Sequence, residues 1–490
     1  MQHPKDSSNL SEISPAFQNP DLLGDTFSRT LKAFNLSPIN KLFSFAKIKG
    51  VAAADIFKVL FLLPFIDIFN IHALQLSGYS PSLCAKKDAF YTFLKNPRIN
   101  WRKIVLLFAR QFLKIAHTKS VDKEGTQTPK CLVIDDSLLD KTGKAIEFIG
   151  KVYDHCTHTY KLGMKMLALG FWDGKSFIPI DFSIHNEPGK NKNRGLGKVD
   201  LSSQFSKQRE EGCAALERVG EVSESKIEIA LQMIKSAIKK GFAAQYVLAD
   251  SWFITDEFIK AIINIKTKAG SAIAVMGLMK TNRKVCVNGK DIIAALIPET
   301  EQKRIKKCTK LKCSYIALQA TYKGTNVKLF FVKMNGQHTW KMLTTTDISL
   351  TFIKAMEYYQ IRWSIEVFFK EAKQHLFLGK CQSVDFDAQI ASISMVFMNY
   401  IALSLAKRFE AYETMGQLFK AFKDIMLQQN IVARLWQLII QIYSLILEDL
   451  GIDTDQFMYR LINDETIVSK LKNAVSFLLI FDANNNPKLS

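Results

Sequence analysis

The 490-residue chain carries 66 Lys and Arg against 46 Asp and Glu, a formal charge of +20, with 48% hydrophobic and 23% charged residues. That mixture excludes a largely disordered chain, the length exceeds one ordinary domain, and the basic surplus makes a polyanion the leading partner. Eight cysteines without a CxxC pair point to reduced thiols and a cytoplasmic protein, with no structural zinc expected.

Residues 1–25 read as a flexible polar leader without the apolar core of a secretory signal. Residues 26–125 read as a helical N-terminal domain, with turn signals near Asn35 and Gly78. Within it, residues 81–120 hold nine basic side chains (Lys86, Lys87, Lys95, Arg98, Arg102, Lys103, Arg110, Lys114, Lys119) against the single acid Asp88. Contact with a phosphate backbone is the functional expectation; a solvated face over the aromatic residues Phe90, Tyr91, Phe93 and Trp101 is the structural one.

Residues 126–270 change period. Residues 130–135 predict a short buried strand ending in acids, and residues 161–172 and 176–185 predict two more, joined by the hairpin turn Asp173-Gly174. Residues 188–212 read as a flexible basic loop. Ser225-x-x-Glu228 looks like a capping box opening a helix with Ile227, Leu231, Ile234 and Ile238 on one face and Gly241 as its stop. Residues 246–250 repeat the pattern of a buried strand ending in an acid, and Thr255 starts another helix. Residues 271–346 predict a β-rich insertion with turns at Asn288-Gly289, Gly324 and Asn335-Gly336 and a basic edge at residues 303–312. Residues 347–405 predict the second half of the core, and residues 406–490 a C-terminal helical region. Residues 388–406 lack any charge but contain Gln389, Ser392, Ser394 and Asn399, so a buried core helix is expected rather than a membrane span.

The candidate chemistry begins on a predicted helix over residues 357–376. Tyr359, Arg362, Glu366 and Lys373 lie at offsets that, at about 100° per residue, form one stripe with Lys370 close by. Exposed ion pairing is the bland reading of such a stripe. Two further acids stand at strand ends: Asp135 or its neighbour Asp136, and Asp250. Strand alternation sends Asp135 and Asp136 to opposite faces. Strands, a helix, a strand and then a helix bearing Glu366 make the layout of an RNase-H-like α/β core, which brings two Asp and one Glu together. Three convergent carboxylates would hold two divalent ions, Mg²⁺ or Mn²⁺, suited to activating water or a 3′-hydroxyl for in-line attack on phosphorus. His155 and His158, beside Cys156, are read as turn or hairpin residues, because no second ligand cluster accompanies them.

The run Tyr359-Gln-Ile-Arg362-Trp-Ser-Ile-Glu366-Val-Phe-Phe-Lys-Glu-Ala-Lys373 resembles the Tyr-x2-Arg-x3-Glu-x6-Lys signature of bacterial insertion-sequence transposases of the DDE class, in insertion-sequence family four. Val133-Ile-Asp135-Asp136-Ser137 and Val247-Leu-Ala-Asp250-Ser-Trp-Phe253 resemble its two aspartate blocks, and alignment on Asp-x-Ser favours Asp135 as the first ligand. The resemblance implies a polynucleotidyl transferase and endonuclease that binds terminal inverted repeats of double-stranded DNA, pairs two ends in a homodimer and performs cut-and-paste transposition without a membrane. It implies Asp135, Asp250 and Glu366 as metal ligands, Tyr359, Arg362 and Lys373, with Lys370 beside them, as phosphate grips, and Trp252 or Trp363 as a stacking surface for a base. The alternative is a catalytically inactive, transposase-derived DNA-binding protein. A nuclease that only hydrolyses is the other, and the Tyr/Arg/Lys stripe speaks for strand transfer against it.

Overall fold

The computed structural model describes residues 37–43, 50–77, 85–119, 128–155, 157–187, 195–266 and 270–409, with a few isolated positions besides. They belong to one compact unit, residues 33–418; a second unit, residues 1–32 with 419–490, falls almost wholly outside them. The expected leader over residues 1–25 and the helical region beyond Phe409 therefore lie outside the described residues.

The centre of the unit is a 12-stranded mixed sheet. Its first strands are β1 (Cys131–Asp140), β2 (Gly150–Asp154), β3 (Thr159–Trp172) and β4 (Phe177–His185). β3 pairs antiparallel with β1 along one edge and with β4 and β2, end to end, along the other. β5 (Tyr246–Ala249) lies parallel to β1, and β6 (Ala274–Met279) parallel to β5. The apolar runs at residues 131–134 and 246–249 are wholly buried, as parallel strands covered on both faces require.

β1 does not stop at its acids. It runs on to Asp140, because β3 supplies partners for every residue of it, Asp135 opposite Ala168 and Asp136 opposite Leu167. Between β3 and β4 the carboxylate of Asp173 accepts hydrogen bonds from the backbone N–H of Lys175 (3.0 Å) and Ser176 (2.8 Å), and Gly174 takes φ +103°. That is side-chain stabilisation of a turn. His155 and His158 stand in the connection from β2 to β3, where Tyr153 meets both rings; Cys156 lies outside the described residues.

The strands of the predicted insertion extend this same sheet: beyond β6 come β12 (Lys341–Thr345), β11 (Thr325–Met334), β10 (Cys313–Tyr322), β7 (Lys284–Val287) and β8 (Lys290–Ile293). Asn288 and Gly289, and Lys323 and Gly324, all take positive φ, the conformation of the two-residue turns that match strand twist. β9 (Lys306–Cys308) pairs with one end of β10 and forms an edge on which Lys303, Arg304, Lys306, Lys307, Lys310 and Lys312 are exposed.

Helices cover the sheet. α1 (Ala53–Leu62), α2 (Lys87–Leu94) and α3 (Trp101–Lys119) precede it, α4 (Lys226–Lys239) and α5 (Asp256–Ile263) flank β5, and α6 (Phe352–Gln360), α7 (Trp363–His375) and α8 (Phe386–Phe409) follow β12. Ser225 stands at the N-cap of α4, but its hydroxyl forms no capping hydrogen bond, so the expected capping box is not made. The buried face of α4 is Ile229, Ala230, Met233, Ile234, Ala237 and Ile238. Ile227 and Leu231 are half-exposed, since the sheet lies about one residue further round the helix than the sequence pattern suggests. Gly241 ends α4 with φ +98°, and Thr255 caps α5 by accepting from the Phe258 N–H at 3.2 Å. α8 is long and apolar enough to cross a membrane by composition, yet it is almost wholly buried inside the protein. Its Ser404 donates to the Phe177 carbonyl of β4, and its Tyr400 donates to Glu371 of α7.

Two further expectations change. Arg102, counted among the phosphate-binding side chains, is drawn inward to Asp181 of β4 (2.8 Å) and Glu221 (2.5 Å); those buried carboxylates need a counter-charge, and the guanidinium supplies it. The basic loop over residues 188–212 is anchored in its described part. Arg209 lies between Glu147 (2.7 Å) and Asp387 (3.0 Å), and Lys207 binds Asp385 and Asp387. Residues 188–194 lie outside the described residues.

Candidate active site

The register of two parallel strands brings the first two acids together. Ile134 of β1 is opposite Ala249 of β5, so the next residues, Asp135 and Asp250, emerge side by side from strands about 4.8 Å apart. This is the carboxyl end of neighbouring parallel strands, where open α/β sheets bind ligands. Gly277 of β6 helps to form that end. A Cβ there would stand 2.6 Å from the Ala249 carbonyl and 2.5 Å from Ile254, so only glycine lets Ile254 fold back over β6 and close the turn that follows Asp250.

Glu366 arrives from α7. The chain expected to form one helix over residues 357–376 is two, α6 and α7, joined at Ile361 and Arg362. The reason is local: Ile361, Arg362, Ser364 and Ile365 each donate to the carbonyl three residues back, which tightens the turn relative to an α-helix. With three residues per turn Tyr359 and Arg362 come into line, and the guanidinium sits 5.7 Å from the Tyr359 ring centroid. Arg362 then bridges the site, with Nη1 donating to Asp135 Oδ2 at 2.9 Å and Nη2 to Glu366 Oε1.

The adjacent acids of β1 have opposite environments. Burial pushes the Asp135 carboxyl up to about 7; the Arg362 guanidinium pulls the other way, and the charges of Asp136 and Asp250 add to the rise. Burial acts on Asp136 too, but Lys226 (2.6 Å) and Lys165 (3.5 Å) outweigh it and hold that carboxyl below its usual range. Arg362 thus joins Asp135 to Glu366, Asp250 is near enough to act on the Asp135 carboxyl, and Asp136 is turned away to a lysine pair. Arg362 itself is raised, its neighbours Tyr359, Asp135 and Glu366 outweighing the opposing effect of burial. Burial also raises the Tyr359 hydroxyl.

The remaining predicted residues lie on the segments that carry Asp250 and Glu366. Trp252, two residues past Asp250, is 45% exposed, with the Lys226 ammonium 4.7 Å from its ring centroid and the Phe253 ring edge-on beside it. Lys370, Lys373 and Trp363 are exposed on α7. Sequence reasoning did not find Lys226 and Lys165. The one signal was the acid doublet itself, since a second buried Asp requires a cation partner.

Among the described residues, no group of three or more His, Cys, Asp or Glu side chains is disposed to hold a metal ion as the site stands. The donor chemistry nevertheless suits hard divalent cations, which take carboxylate oxygens. A cationic group, the Arg362 guanidinium, already occupies the interval between Asp135 and Glu366.

Residues 80–264 match the family model described as DDE superfamily endonuclease, and residues 218–402 match the family model described as transposase DDE domain. The first match spans Asp135 and Asp250, the second Asp250 and Glu366, and they overlap between β4 and β6. No curated protein matches the chain. Two family models, overlapping around Asp250 and together spanning Asp135, Asp250 and Glu366, support a DDE transposase with an endonuclease-type activity.

Proposed function

We propose that this chain is a cut-and-paste DNA transposase of insertion-sequence family four, built on an RNase-H-like core. The observation that carries the reading is that Asp135 and Asp250 follow side by side at the end of the parallel β1–β5 pairing, with Glu366 joined to Asp135 through one guanidinium. The strand order β4-β3-β1-β5-β6, antiparallel up to β1 and parallel after it, supports the assignment of the core.

In this reading Asp135, Asp250 and Glu366 hold two Mg²⁺ ions, or Mn²⁺, and Asp136 serves the fold. Ions held there supply Lewis-acid stabilisation of an in-line displacement at phosphorus. The chain's own residues do the rest. Tyr359 and Arg362 orient the phosphate at the scissile position, Lys370 and Lys373 extend the grip along α7, and Trp252 offers an exposed ring beside Asp250 for a base to stack on. The substrate is double-stranded DNA bearing the terminal inverted repeats of the element, paired by a homodimer in the cytoplasm.

The test uses the purified protein, Mg²⁺ and DNA carrying the repeats that flank the gene. The parent is expected to nick and join that DNA, and Glu366→Gln to bind it with parental affinity while losing cleavage by at least about 10³-fold, as expected when a transition-state interaction is removed. Normal cutting by Glu366→Gln would remove this site from the reaction.

A further inference from the structure

Arg362 is asked to do two things with one guanidinium. Its planar fork can grip a phosphate bidentately, but in the DNA-free protein both terminal nitrogens are spent on carboxylates, Nη1 on Asp135 at 2.9 Å and Nη2 on Glu366. The side chain is only 14% exposed, its Nε is buried without a hydrogen-bond partner, and the Tyr359 ring lies 5.7 Å away. The neighbouring cations Lys165 and Lys226 are committed to Asp136 on the other side of β1, so neither stands in for Arg362 at Asp135 and Glu366.

We infer that Arg362 is the resident counter-ion of the carboxylate cluster, and that it makes metal binding depend on DNA. This inference rests on reading Asp135 and Glu366 as metal-holding residues. A divalent cation between those carboxylates would stand against a positive group only a few ångströms away, and both would compete for the same oxygens. Cation and guanidinium therefore exclude one another. A DNA phosphate offers Arg362 a bidentate partner of equal charge-pairing quality, and Arg362 stands at the junction of α6 and α7, outside the regular turns of either. With Arg362 on the phosphate, Asp135 and Glu366 are released to the ions. The protein is thereby kept weak in metal until a duplex occupies the site, which restrains cutting of DNA that is merely nearby.

The experiment measures Mn²⁺ binding to the full chain by the electron paramagnetic resonance signal of the free ion, at about pH 8.5, where ordinary carboxyls are ionised. It is done with and without a duplex of the flanking repeat, binding to the duplex alone being subtracted. The parent is expected to bind Mn²⁺ roughly tenfold more tightly with the duplex, within the range usual for coupled sites. Arg362→Gln is expected to bind about tenfold more tightly than the parent without DNA and to gain little from it. Arg362→Lys, which keeps the charge, is expected to stay weak without DNA. Equal Mn²⁺ affinity of the parent with and without duplex overturns the inference, and that comparison stands even if a variant misfolds. So does a folded Arg362→Gln no tighter than the parent. Asp135→Asn separates the two levels. If it loses Mn²⁺ binding while Arg362 proves indifferent, the site reading stands and the counter-ion role falls; if it keeps Mn²⁺ binding, the site reading falls and takes this inference with it.

Discussion

Asp135 and Asp136 are neighbours in sequence with opposite fates, and strand alternation is the whole cause. One carboxyl points toward Arg362 and Asp250 and is pushed up to about 7 by burial; the other meets Lys226 and Lys165 and is held low. The sign of the first shift gives a prediction. An acid whose folded pKa exceeds its unfolded value keeps a proton that the unfolded chain has lost, so its contribution to stability is greatest below about pH 4 and falls as pH rises toward 7. Asp135→Asn removes that loss. Without metal, the variant is expected to melt about 2–5 °C above the parent at about pH 8, and by a smaller margin at about pH 5, in calorimetric scans. An equal margin at both pH values would contradict the raised carboxyl. The doublet's ambiguity was visible in the sequence, but its resolution was not, because Lys165 and Lys226 approach Asp136 from β3 and α4, remote along the chain.

Among the elements, the apolar runs leading to Asp135 and Asp250 were legible as buried strands, since four buried residues in a row need cover on both faces. Glu366 was legible from its spacing to Tyr359, Arg362 and Lys373. The break between α6 and α7 was not, because no Gly or Pro marks it and every residue of the turn keeps helical dihedrals. The continuation of β1 past its acids was hidden for a similar reason: a strand's end depends on its partner's length, here that of β3. Gly277 is the element-scale prediction. Gly277→Ala places a methyl against the Ala249 carbonyl and Ile254, and is expected to cost about 1–3 kcal/mol in denaturant unfolding and to lower cleavage with it, because the turn carrying Asp250 must shift. Parental stability together with parental cleavage would show that the close approach is not needed.

At the scale of the molecule, the surplus of basic residues divides into two uses that composition does not distinguish. Arg102, Lys207 and Arg209 neutralise buried acids and fasten the segments around α3 and α8, whereas the lysines of β9 stay exposed on a sheet edge. Burial of a charge is a long-range property, so the nine basic residues of the N-terminal region read alike in sequence. The exposed set is expected to act on DNA. Replacing Lys306 and Lys307 with Glu is expected to flatten the slope of log affinity against log salt by about two units, near one for each phosphate no longer neutralised, without altering the melting temperature. An unchanged slope would place the duplex away from that edge.

If Asp135, Asp250 and Glu366 share bound metal as proposed, iron-directed cleavage of the chain will show it. Fe²⁺ bound in place of the native ion generates radicals with ascorbate and peroxide that cut only nearby backbone. In the DNA complex, fragments ending near all three residues are expected, and all three sets should vanish when excess Mg²⁺ competes. Cuts confined to one of those segments, or persisting in Mg²⁺, would contradict a shared site.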